Sequence, residues 1–333
     1  MGEKKLKENK YKESNLIIYN TMQITGIDYS KCINCKKCVV DCPSQLFSHI
    51  IQDGSTQINF ADPNQLCIQC GHCLAICPVN CIIYQGDFKS SPIPPNFLEM
   101  KPSYNSLDNF LRNKRSIRHF SSKKVPYGLI EKILSTMRYA PSARNARNWK
   151  LLVITDKKEI QLLSKQIIYA IAITQKITQN WLIRKLLLLT PLRRTLYDHR
   201  ISYSINRLLT NSKAGLDPIF FDAPCVVIIY SPKYGNLAGC DSGIITTYGM
   251  LAAESLGLGT CWIGIAQEVM MRLRKIRKFC GIPKGYFPWS VFVVGYPKYK
   301  YNRIPPRDPL EVTWREFKEE KVEKYSDKKI ENV

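Results

Sequence analysis

Eight of the thirteen cysteines in this sequence fall in two short runs, CINCKKCVVDCP from Cys32 to Pro43 and CIQCGHCLAICP from Cys67 to Pro78. Each run spaces its thiols C-x2-C-x2-C-x3-C and closes on proline. Thiols at this spacing suit iron–sulfur chemistry, because the intervening pairs of residues wrap the backbone around one face of a cubane. A structural zinc site needs only one C-x2-C pair per half-site, and a disulfide framework gives no reason for the repeated four-cysteine pattern with its proline. The predicted chemistry is movement of single electrons.

The region around the two runs, residues 24–88, resembles the bacterial two-cluster ferredoxins. In that pattern the fourth cysteine of each run reaches across to the other cluster. The resemblance therefore assigns Cys32, Cys35, Cys38 and Cys77 to one 4Fe-4S cluster and Cys67, Cys70, Cys73 and Cys42 to the other.

A chain of 333 residues is too long for such a module alone. The five remaining cysteines, Cys81, Cys225, Cys240, Cys261 and Cys280, are odd in number and unrelated in spacing. They read as small buried hydrophobes in a reducing, cytoplasmic protein. No secretory signal is visible in the charged opening residues. The most apolar stretch, Ile167 to Leu192, is interrupted by Lys176, Arg184 and Lys185, so no membrane span is expected.

The net charge of +22 is unevenly spread. Residues 24–88 carry three lysines against five aspartates, and residues 1–23 carry five lysines against three glutamates, which leaves +22 for residues 89–333. An acidic module tethered to a basic body favours docking of the two. Nucleic-acid binding is not expected, since neither a helix-turn-helix nor an RNA-binding pattern accompanies the charge.

Five segments follow from composition and periodicity: a charged arm at 1–23, the two-cluster module at 24–88, a proline-rich linker at 89–106, a larger domain at 107–320 and a charged tail at 321–333. In the larger domain Leu129, Ile130, Ile133, Leu134 and Met137 recur at helical spacing until Pro141. Trp149–Thr155, Cys225–Tyr230 and Trp289–Gly295 read as buried strands, and Asp241 to Leu258 as a helix stopped by Gly257 and Gly259. The sum is an α+β layer. Residues 157–213, with eleven Lys or Arg against Glu159 and Asp198, read as a basic helical excursion, a candidate lid.

Four segments of the larger domain resemble the nitroreductase family of FMN enzymes: KRSIRHF (114–120), APSARNARNW (140–149), DSGIITTYGMLAAESLGLGTCWIG (241–264) and VVGYPKYKYNRIPPR (293–307). The resemblance implies a central, mostly antiparallel sheet flanked by helices, bound FMN and a homodimer. It places Arg115, Ser116 and Arg118 on the FMN phosphate, ribityl chain and ring carbonyl, in keeping with the forked, permanently charged guanidinium. Pro141 ends a helix so that Ser142 and Asn145 reach the flavin edge from the partner subunit. Arg147 and Asn148 stand where that family has Gln and Pro, and a cation at Arg147 would favour anionic reduced flavin. Gly257, Gly259 and Gly264 let backbone approach the ring, with an N–H near Gly264 donating to the flavin N5. Lys300 and Arg303 are further phosphate contacts.

The resemblance implies an oxidoreductase in which the flavin N5 reacts and no side chain acts as acid, base or nucleophile. Substrates would be nitroaromatic, quinone-like or related electron-poor compounds. NADH, NADPH or an external ferredoxin or flavodoxin would supply electrons. The alternative is a relay module that passes electrons to a protein partner.

Overall fold

The structure, a computed structural model, describes residues 22–52, 55–86, 101–188, 199–235 and 237–315. The expected N-terminal arm apart from Met22 and Gln23, most of the proline-rich linker and the 321–333 tail lie outside the described residues. The chain divides into one unit up to Tyr299 and a second from Lys300. Residues 300–315 carry no helix or strand and are exposed.

The cysteine-rich module is an internal repeat. Strand β1 (Gln23–Ile27) leads to the first run and helix α1 (Lys37–Asp41), then β2 (Phe47–Gln52). Strand β3 (Ser55–Phe60) leads to the second run and α2 (His72–Ile76), then β4 (Ile82–Gln85). β1 pairs antiparallel with β4, and β2 with β3. Each half thus supplies one strand to each ribbon. Ile24, Ile27, Phe47, Ile58 and Ile82 form a small core with Cys73 and Cys81, against which Cys32, Cys38, Cys42, Cys67 and Cys77 pack.

The body follows with α3 (Tyr104–Asn113) and α4 (Tyr127–Met137), β5 (Lys150–Ile154), α5 (Lys157–Gln179), α6 (Trp181–Leu188) and α7 (His199–Lys213). Then come β6 (Cys225–Pro232), α8 (Leu237–Ser255), β7 (Gly259–Trp262), α9 (Gly264–Arg272), α10 (Arg274–Phe279) and β8 (Tyr286–Gly295). The sheet runs β5-β6-β8-β7 with every neighbour antiparallel. This is the helix-flanked antiparallel sheet that the four segments imply.

Both faces of the sheet are covered, which explains why β6 is a continuous Val/Ile run rather than an alternating one. Val226, Ile228, Tyr230, Val291 and Val293 face Ile160, Leu163 and Ile167 of α5 and Met270 of α9. Cys225, Val227, Ile229, Phe292 and Val294 face Ile130, Ile133 and Met137 of α4 and Ile245 of α8. Each fully buried aliphatic side chain contributes about 1.5–3 kcal/mol.

Here the structure corrects the reading of residues 157–213 as an excursion. Asp156 caps α5 by accepting from the Glu159 N–H at 2.8 Å. Ile160, Leu163, Ile167 and Ile171 then place one buried stripe against the sheet. The lysines decorate the opposite face of a core helix, and Ile205, Leu208 and Leu209 of α7 pack on the same core. Charge density hid the stripe.

Candidate functional site

The two cysteine runs adopt the same backbone. Asn34 and Gln69, Lys36 and Gly71, and Gln45 and Asn80 occupy equivalent positions, and all six have positive φ between 52° and 75°. These left-handed residues reverse the chain between ligands, so that three thiols of one run face a common hollow. One hollow is ringed by Cys67, Cys70, Cys73 and Cys42, the other by Cys32, Cys35, Cys38 and Cys77. These are the two sets that the crossing of the fourth cysteine implies. Among the described residues no three Cys, His, Asp or Glu side chains converge on a single ion. Ligands of a cubane sit on separate irons and need no such convergence. The donor set fits one 4Fe-4S cluster in each hollow.

The fourth cysteines also receive matching hydrogen bonds. The Leu46 N–H donates to the Cys42 sulfur at 3.4 Å and the Cys81 N–H to the Cys77 sulfur at 3.3 Å. The symmetry breaks at Cys81, whose sulfur lies 3.4 Å from that of Cys77 and which lines the first hollow. Burial and the neighbouring Cys77 push the Cys81 thiol up to about 12. Burial raises Cys77 too, but the N–H groups of Cys81, Val79 and Asn80 and the Cys81 thiol hold it net below the ordinary value. With Cys77 ligating iron as a thiolate, which can only accept, Cys81 would be the S–H donor of this pair. Its four-residue step from Cys77, matching Leu46 after Cys42, was the available sequence signal. Cys225, Cys261 and Cys280 are buried as expected, but Cys240 is exposed.

Three of the four family-like segments meet. Ile117 N–H donates to the Thr260 carbonyl at 2.9 Å, and Ser116 bridges Thr260 in parallel. Lys298 N–H donates to the His119 carbonyl at 2.9 Å, and Phe120 bridges Pro297. The turn before β7 follows from the end of α8, where Leu258 N–H reaches the Ala253 carbonyl and Gly257 N–H the Glu254 carbonyl, with Gly257 at φ 72°. A Cβ on Gly259 would stand 2.5 Å from Ile117 Cγ1, so only glycine permits this approach.

Ser116 and Arg118 are exposed here, beside the buried Cys261. Burial raises the Cys261 thiol, and Arg118 and Ser116 pull it the other way. Thr260 Oγ1 is buried with no partner among the described residues, an unspent hydrogen-bonding group beside Ser116. Gly264 is exposed and opens α9, whose first N–H groups have no intrahelical acceptor. This cation, hydroxyl and N–H set fits an anionic flavin. Arg115 differs from the expected phosphate contact: its guanidinium folds back onto the Arg112 and Lys114 carbonyls, each at 2.6 Å, closing α3. Lys114, which sequence reading passed over, is paired at 3.7 Å with Glu254, and burial lowers the lysine and raises the glutamate. Lys300 and Arg303 belong to the second unit and are exposed.

The 140–149 segment stands elsewhere. Ala143 N–H donates to Asp241 Oδ1 at 3.1 Å, near the start of α8, while Gly259 follows its end. From Asp241 to Ser255 the helix rises roughly 21 Å. Pro141, Ser142, Asn145 and Arg147 are therefore not brought to Ser116 and Arg118 within one chain. Ser142 Oγ accepts from the Arg147 N–H at 3.0 Å, and Asn145 Nδ2 donates to the carbonyls of Ile68 at 3.0 Å and Gln69 at 2.8 Å. Arg144, Asn145 and Arg147 have φ of 51°, 53° and 44°. Left-handed backbone costs an L-residue about 1–2 kcal/mol, least for Asn.

Residues 111–296 match the model of the nitroreductase family, and residues 25–84 match that of the 4Fe-4S dicluster domain. A protein of Archaeoglobus fulgidus, provisionally named NADH dehydrogenase/NAD(P)H nitroreductase, is 24% identical over 189 residues, 56% of this chain and 82% of its own. The FMN reductase (NAD(P)H) of Bacillus subtilis is 26% identical over 204 residues, 60% of this chain and 70% of its own. Among solved structures, a nitroreductase with bound FMN from Bacteroides fragilis is 19% identical with a TM-score of 0.47, covering 64% of this chain and 100% of that one.

Proposed function

The chain belongs to the nitroreductase family, and on that premise we propose that it is an FMN-dependent oxidoreductase whose flavin exchanges electrons with the 4Fe-4S clusters of the cysteine-rich module. The observation that carries this reading is the pair of hollows, each ringed by four cysteines drawn from both runs, in one unit with the nitroreductase body. Clusters move electrons singly, whereas FMN accepts them singly and delivers a pair to substrate. The substrates proposed are nitroaromatic, quinone-like or related electron-poor compounds, with NADH, NADPH, ferredoxin or flavodoxin as donor.

This chain's residues bind and orient. Ser116 and Arg118 would hold the anionic end of the flavin. Gly259 would admit the backbone, and the Gly264 N–H would donate to the ring. Pro141, Ser142 and Arg147, separated from that cradle by the length of α8, would complete it from a second copy. Ile244, Tyr248 and Trp262 are partly exposed on α8 and the edge strand β7, apolar surface suited to a homodimer. No described helix is long and apolar enough to cross a membrane, and a cytoplasmic setting is proposed from the free thiols.

The test is anaerobic isolation of the full chain. Bound FMN, about eight irons per chain and turnover of a nitroaromatic or quinone are expected. Iron without flavin would refute the reading. Electron transfer to a redox protein with no turnover of small acceptors would favour the relay alternative.

A further inference from the structure

Asn145 spends both protons of its carboxamide on the peptide between Cys67 and Cys70, donating to the carbonyls of Ile68 and Gln69. Among the described residues, the corresponding peptide of the first run makes no hydrogen bond to the body. Asn34 Nδ2 donates instead to the Thr56 carbonyl inside the module, Ile33 is 61% exposed and Cys35 is exposed. One cysteine site is tied to the body, and the other opens outward.

The tie is braced from the body's side. Asn145 sits among left-handed residues in a loop held by the Ser142–Arg147 bond and by Asp241, whose other oxygen accepts from the Tyr234 hydroxyl at 2.9 Å. Arg144 and Arg147 stand beside it in the sequence, and the module carries a net negative charge. Asn, unlike most residues, tolerates φ of 53° and can still donate twice.

We propose that Asn145 is a positioning residue that docks the Cys67–Cys70 loop on the body, so that the cluster of Cys67, Cys70, Cys73 and Cys42 exchanges electrons with the flavin whose cradle the 140–149 segment completes from a second copy. The cluster of Cys32, Cys35, Cys38 and Cys77 is then the outer port. This rests on the function proposed above. In the electron balance, a low-potential one-electron donor reduces the outer cluster, which passes its electron to the inner one. The inner cluster returns to its oxidised state each time it releases one electron. Two such electrons and one proton from solvent convert oxidised FMN to its reduced anion.

The experiment uses full chain loaded with clusters and FMN, in wild type, Asn145→Gly, which keeps the backbone conformation, and Asn145→Asp, which keeps the side-chain shape but removes both donors. Dithionite reduces the clusters, and stopped-flow absorbance follows flavin bleaching. The rate of direct flavin reduction by NAD(P)H, the iron and flavin contents and the cluster midpoint potentials are measured alongside. Loss of two hydrogen bonds is expected to slow the cluster-to-flavin step by about tenfold or more, with the iron content and the cluster midpoint potentials unchanged. An unchanged rate with both sites loaded would overturn the inference, as would loss of bound flavin, which would make Asn145 a flavin ligand. If clusters and flavin exchange no electrons in the wild type either, the proposed function itself fails.

Discussion

The two cysteine runs share their spacing, their short helices and their left-handed turns, yet their surroundings differ in two places. The first hollow has a fifth thiol, Cys81, against its crossing ligand, and its outer residues face solvent. The second has Leu46 in the equivalent position and a carboxamide from the body on its peptide. Ligand geometry is thus repeated because a cubane demands it, whereas everything outside the ligands is free to specialise. Reduction potential depends on hydrogen bonds to sulfur and on solvent exposure, so two identical ligand sets in these settings should not be equivalent.

The largest effects should come from removing a ligand on each side. Cys38→Ala and Cys73→Ala are each expected to drop the iron content by about four atoms per chain. Only Cys73→Ala should also abolish flavin bleaching by dithionite-reduced clusters, since it empties the site tied to the body. Equal effects of the two on bleaching would erase the asymmetry.

A smaller effect is expected from Cys81→Ala. Its S–H bond favours the more negative, reduced state, so its loss should lower the first cluster's midpoint potential by about 20–65 mV, the equivalent of one hydrogen bond for a one-electron couple. The second cluster should keep its potential in an EPR-monitored redox titration.

The smallest effect concerns the turns. Lys36 and Gly71 hold equivalent left-handed positions, and a Cβ on Gly71 would meet Met22 Cε at 3.4 Å. Gly71→Ala should cost about 1 kcal/mol in denaturant unfolding, and Lys36→Gly should gain at most about the same. A gain from Gly71→Ala or a loss from Lys36→Gly would show that the equivalence of the two turns is only apparent.

The ligand sets, the strands and helix α4 were legible because each writes a local period into the chain. Crossing of Cys42 and Cys77 is what the ferredoxin resemblance implied, and the lining of the two hollows is compatible with it. Three things were not legible. The buried stripe of α5 is thinned by lysines, so charge outweighed periodicity in residues 157–213. Asn145 carries the family-like motif, but a hydrogen bond to a residue more than seventy positions away leaves no trace in spacing. Arg115 matched a phosphate-binding pattern, and only the backbone path shows that carbonyls at the end of α3 take its guanidinium first.

The most direct test of the account is an anaerobic half-reaction in the full chain. Clusters reduced by a limiting amount of dithionite are mixed out of contact with any other donor, and cluster and flavin absorbance are followed together. Recovery of cluster absorbance in step with flavin bleaching, at about two electrons per FMN, is the predicted result. Clusters that stay reduced beside flavin that stays oxidised would contradict it.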